Sequence, residues 1–213
     1  MPDIAAHPVA WLALGAVPFI LGGMVKGALG VGLPLVAIPL LSLWIPGMQA
    51  MALLAVPVLL SNTWQAVEGG QVRASFQRFG GLIAAQVILT VVTVRLTLAL
   101  SAAHLNIMLA MAVLLAVLSM AFKPTLHISP RREQAVGVAV GVLSGLLGGV
   151  SSLTGPVIIT FLMALKLKRE DFISSISVIY LTSALPLYGA MLVYGRIGTA
   201  ELGLSLLALL PMG

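Results

Sequence analysis

Ser151, Ser152 and Thr154 stand directly after a glycine-rich run, Gly141 to Gly149, in a chain that carries almost no charge. Hydroxyls in such a setting can donate hydrogen bonds to sulfonate or carboxylate oxygens. They can equally bond back to the carbonyls that a broken helix leaves free. A second polar group, Ser61, Asn62, Thr63 and Gln65, closes an otherwise apolar segment and is approximately matched later by Tyr180, Thr182 and Ser183. A site built from both groups would use Asn62, Thr63 and Thr182, whereas the alternative is an interhelical hydrogen-bond network or an interfacial helix end. Lys26 is the only charge inside a first glycine cluster, Gly22 to Gly32. It either attracts an anion or extends its ammonium to the membrane interface, the second reading being at least as strong.

The glycines are the third element of this chemistry. Gly27, Gly30 and Gly32 in the first cluster, and Gly145, Gly148 and Gly149 in the second, would open the backbone so that N–H groups near Leu35 and Val157 point at an anion. Pro34 and Pro156 suit the first turns of the short helices that follow. The competing reading is that Gly23-xxx-Gly27 and Gly141-xxx-Gly145 let helices pack closely.

Other chemistries lack their residues. His7, His104 and His127 fall in predicted loops without ligand spacing, so no metal site or other cofactor is expected. Glu68, Glu133, Glu170, Asp171 and Glu201 fall at segment ends, leaving no obvious buried carboxylate to carry a proton. Lys26 is followed by glycine, not Ser or Thr, so there is no phosphate-binding P-loop. HExxH and a Ser/His/Asp constellation are also missing, and the sequence does not read as an enzyme.

The elements that must hold these residues follow from composition. The 213 residues are 60% hydrophobic and 8% charged, far from the soluble mix. Long Leu/Ala/Val runs such as Leu105 to Ala121 favour membrane-spanning helices over a β-barrel. The reading is an all-α, polytopic protein of the cytoplasmic (inner) membrane. The beginning has no basic stretch before Val9, so the first helix is expected to be retained. Cysteine is absent, and the net charge of +5 lies in short loops, as an orientation signal and not a nucleic-acid surface.

Predicted segments run Val9 to Val25, a short piece from Pro34 to Trp44, Met48 to Ala66 interrupted at Pro57, Leu82 to Leu100, and Leu105 to Phe122. Glu68 to Arg78 reads as a loop. After Lys123 to Glu133 come Ala135 to Leu147, a short Val157 to Leu165, the charged loop Lys166 to Asp171, Phe172 to Tyr194, and Leu202 to Met212.

Gly23, Gly27 and Gly30 recur at one constant offset as Gly141, Gly145 and Gly148, and Pro39 recurs as Pro156 one residue short of it. The chain therefore divides into a first repeat, 1–122, a cytoplasmic connecting loop, 123–133, and a second repeat, 134–213. Placing the basic loops around Arg73, Lys123 and Lys166 on the cytoplasmic side makes the two glycine hairpins point oppositely, hence two inverted repeats. The second copy has no counterpart of Leu105 to Phe122, an expectation of a fragment lacking roughly 30 residues, one helix and its loop.

The twin motifs Gly23-xxx-Gly27-xx-Gly30-x-Gly32 with Pro39, and Gly141-xxx-Gly145-xx-Gly148-Gly149 with Pro156, resemble the TauE/SafE family of membrane transporters, the sulfite exporter or 4-toluene sulfonate uptake permease family. Leu33 and Pro34 depart from its pattern of small residues. The resemblance implies movement of small, often sulfur-containing anions. Joined with the residue reading, the expectation is a secondary transporter or facilitator whose partners are a small anion, the lipid bilayer, a coupling ion that is either a proton or sodium, and a further copy of the chain. The alternative is a membrane scaffold whose glycines serve packing alone.

Overall fold

The structure, a computed structural model, describes residues 8–121 and 128–211. The expectations for His7, Lys123 and His127 lie outside them. The described residues form ten helices and no strand: α1 Pro8–Leu29, α2 Leu33–Leu41, α3 Gly47–Leu53, α4 Ala55–Glu68, α5 Val72–Thr97, α6 Ala102–Ala121, α7 Glu133–Ser151, α8 Gly155–Ala164, α9 Arg169–Val193 and α10 Thr199–Leu207. Among these, α5, α7 and α9 are long and apolar enough to cross a membrane, and α3 with α4, bent by 44°, would make a fourth span.

Four of the boundaries differ from expectation for physical reasons. The first cluster breaks its helix only at its last two glycines, Gly22, Gly23 and Gly27 lying inside α1, whereas Gly141, Gly145, Gly148 and Gly149 all lie inside α7. A helical glycine costs only about 1 kcal/mol relative to alanine, whereas an unpaired N–H facing lipid costs several. The breaks come at Gly30 and Gly32 (φ 76° and 108°) and at Ser152 (φ 59°). The expected loop 68–78 shrinks because α5 begins at Val72, where Ser75 and Phe79 turn inward and Arg73, Gln77 and Arg78 outward. Likewise α9 absorbs Arg169, Glu170 and Asp171, and the two acidic groups complement the positive end of its dipole. The break before α4 falls at Leu54 and not at Pro57, since proline lacks the N–H that Leu53 would need a turn earlier.

The bundle is organised by α5, α7 and α9. Gly141 lies on the Leu82 backbone, Gly145 on Gln86, and Gly149 on Thr90 and Thr93, so α7 runs alongside α5 in the same direction. At one end Gln71 donates to Asp171 (2.7 Å); beyond the other end of α9, Arg196 donates to the carbonyls of Thr97 and Leu98 (3.3 Å each). Thus α9 runs with them. The hairpins differ in direction: α1 ends with Gly30 against Ile173, near the start of α9, while α7 ends with Gly149 against Thr93, near the finish of α5. Each short helix folds back on its partner, Leu33 and Ala37 of α2 against Gly22, and Phe161 of α8 against Gly137 and edge-on to Phe79. Burial follows two apolar clusters, one around Leu33, Ile38, Met51 and Leu187, the other around Leu82, Ile158, Leu162 and Ile176.

Candidate functional site

The two breaks meet. Gly32, Leu33, Pro34 and Leu35 from the α1–α2 break and Ser152, Leu153, Thr154, Gly155 and Pro156 from the α7–α8 break line one cavity, closed by Lys26 of α1, Val58 and Asn62 of α4, and Tyr180, Ser183, Ala184 and Leu187 of α9. Its open space is about 40 Å³, room for about three waters or one small ion freed of its hydration shell.

Lys26 is 4% exposed, and its ammonium donates to Asn62 Oδ1 at 2.7 Å. That acceptor is a neutral amide. No carboxylate among the described residues lines the cavity, so a protonated Lys26 would have a hydrogen bond but no counter-ion there. Around it lie the first turns of α2 and α8, whose N–H groups at Leu33 and Leu35, and at Gly155 and Val157, precede the first intrahelical bonds, Val36 to Gly32 and Ile158 to Thr154. Tyr180 is buried with its hydroxyl against Gly155 and has no hydrogen-bond partner among the described residues. Buried hydroxyls almost always find a partner; this one faces the start of α8. The lysine amine, helix starts and hydroxyls together bring several hydrogen-bond donors to one pocket, which suits an anion.

A second and wider space, a vestibule of about 380 Å³, is lined by Gly27, Gly30, Gln65, Glu68, Gln71, Arg169, Glu170 and Ser174. Lys26 and Asn62 therefore face the cavity while Gly27 and Gln65 face the vestibule.

Of the residues expected at a site, Gly32, Asn62, Ser152 and Thr154 come together at the cavity, and Gly27 and Gly30 line the vestibule. The others are placed elsewhere. Gly145 and Gly149 are pressed on α5, and Gly148 on Thr154 with Ser183 and Thr90 nearby. Ser151 donates to the Leu147 carbonyl (2.8 Å) and accepts from the Leu153 N–H (3.2 Å), repairing the end of α7. Thr63 is exposed and bonds Leu59 (2.7 Å), and Thr182 bonds Val178 and Ile179, each within its own helix. Helical periodicity explains the selection: 180, 183, 184 and 187 share a face that 182 does not, as 58 and 62 share one that 63 does not. Lys26, which in sequence reads at least as well as an interface-seeking lysine, also lines the cavity; its charge inside an apolar glycine motif was the available signal.

These features define a multi-pass helical membrane protein with a small internal polar site at paired helix breaks. Residues 14–213 match the family described as Sulfite exporter TauE/SafE, and the chain belongs to that family of transporters. No curated protein and no solved structure matches it.

Proposed function

We propose that the chain is a secondary transporter or facilitator that carries a small anion, sulfite, a sulfonate or a related organic anion, across the cytoplasmic membrane, binding it in the cavity between the two breaks. The reading rests on one observation above all: a buried lysine amine, hydrogen-bonded to an amide oxygen, lines a cavity that offers it no carboxylate among the described residues. A charge held so deep in an apolar helix is retained for function, and an anion seated beside Lys26 would supply the missing counter-charge. Leu33 and Leu35 N–H, Gly155 and Val157 N–H, and the hydroxyls of Tyr180, Ser183, Ser152 and Thr154 would complete its coordination. The residues 1–122 and 134–213 would act as two inverted repeats moving about this point, as in other transporters with broken helices. The cavity's size favours a small anion over a bulky one.

Flux of sulfite, methanesulfonate and acetate into proteoliposomes tests the reading. Uptake of at least one of them, lost in Lys26→Gln, is expected. An absence of anion-dependent flux across the panel would overturn it in favour of a membrane scaffold. Asn62→Cys in this cysteine-free chain should further react with a polar thiol reagent and be shielded by the transported anion.

A further inference from the structure

The surroundings of Lys26 can be followed element by element. From α4 it meets Asn62, with Glu68 further along at the vestibule; from α9 the cavity receives Tyr180 and Ser183, with Arg169 and Glu170 at the vestibule. The α7–α8 turn contributes Ser152 and Thr154, and α2 contributes apolar Leu33 and Leu35. Apart from Tyr180, Lys26 is thus the titratable side chain of the cavity, and the vestibule carboxylates have Arg169 beside them.

An ammonium taken out of water without a counter-charge is poorly stabilised, and one beside an anion is well stabilised. The anion accordingly binds the protonated lysine better than the neutral amine. Linkage makes this reciprocal: the proton binds the anion-loaded protein more tightly by the same factor. The two ligands load together and leave together.

We infer that Lys26 couples the anion to a proton, one H⁺ crossing with each anion. This rests on the cavity's being the anion site. On the loading side Lys26 Nζ takes a proton from water and the anion sits beside it; on the releasing side the anion departs and Nζ returns its proton to water, leaving a neutral amine hydrogen-bonded to Asn62. A singly charged anion then moves without net charge, and the empty carrier returns uncharged. A lysine fits this task and an arginine does not, because the guanidinium keeps its proton under all ordinary conditions.

The test uses the full chain in weakly buffered proteoliposomes holding a pH-sensitive dye, with methanesulfonate as probe, since that anion takes up no proton itself near neutrality. An inward gradient of the probe should acidify the lumen with one H⁺ per anion. Lys26→Arg should exchange labelled methanesulfonate more slowly, with its H⁺ per anion falling from one to near zero. Wild-type flux with a ratio near zero, or a ratio of one preserved in Lys26→Arg, overturns the inference while leaving the anion site standing. If Lys26→Arg is inert, the wild-type ratio decides. If wild-type protein moves no anion of the panel, the anion site itself falls and the coupling with it.

Discussion

The first and second glycine hairpins share a motif and use it differently. In α1, a side chain added at Gly27 would meet nothing within 4 Å, and the glycine opens on the vestibule. In α7, the equivalent Gly145 lies where a Cβ would sit 2.7 Å from the Gln86 carbonyl and 2.8 Å from Leu89 Cβ. Gly27 leaves polar space beside its helix, although Gly22 of the same cluster packs on Leu33 of α2; Gly145 removes all space between two helices. The contrast extends to the residue before each: Lys26 reaches into the cavity, while its counterpart Ser144 is buried and donates to its own helix at the Gly141 carbonyl (3.2 Å). The same glycine spacing thus borders open space in α1 and close helix packing in α7.

The sharpest way to break this comparison is to exchange charge for none at the two matched positions. Lys26→Gln should lower methanesulfonate affinity by about a hundredfold or more, as expected for removal of a buried charge that meets an opposite one. Ser144→Ala should change it less than about threefold, since it deletes only a bond made within α7. Isothermal titration of both purified variants measures the difference, and equal losses would show that the two helices contribute alike.

A second contrast concerns the glycines. Gly145→Ala should destabilise the protein by about 1–3 kcal/mol through overpacking against α5. Gly27→Ala should be neutral or stabilising by up to about 1 kcal/mol, from better helix propensity in open space. Thermal unfolding of the detergent-solubilised variants separates them; similar melting temperatures would mean that α7 does not need its close approach.

How much of this was legible beforehand depends on the kind of information each feature needs. Helical class and membrane residence followed from composition, because lipid leaves the backbone few alternatives. The pairing of the breaks followed from the constant offset between Gly27 and Gly145. The first break falls within the expected gap between Val25 and Pro34, at Gly30 and Gly32, whereas the second comes after its glycines, at Ser152, since Gly141 would serve a turn as well as a helix and only the neighbouring helix decides. For the same reason packing at Gly145 and exposure at Gly27 look identical in sequence. Lys26 was legible as a charge but not as a buried one, for its reach to Asn62 spans 36 positions. Thr63 and Thr182 looked as suitable as Asn62 and Ser183 because polarity was visible and helix phase was not.

The smallest effects lie at the break points themselves, and they distinguish two ways of turning a chain. The first turn has glycine at Gly32, with φ 108° and Val25 Cγ1 3.0 Å from where a Cβ would stand. That φ lies beyond the left-handed helical well, so Gly32→Ala should cost about 1–3 kcal/mol. The second turn uses a serine, Ser152, at φ 59° and ψ 7°, near the left-handed region that an ordinary residue enters at a cost of roughly 1 kcal/mol. Ser152 is the C-cap of α7, its N–H bonded to the Gly148 carbonyl at 2.9 Å, and glycine could make the same bond without that cost. Ser152→Gly should therefore gain up to about 1 kcal/mol in unfolding stability. Ser152 also lines the cavity, so methanesulfonate affinity should fall modestly, about three- to tenfold, if its hydroxyl bonds the anion. A gain in stability with no loss of affinity would show that Ser152 merely completes the turn, and would leave Lys26, Tyr180 and the two helix starts as the anion's partners.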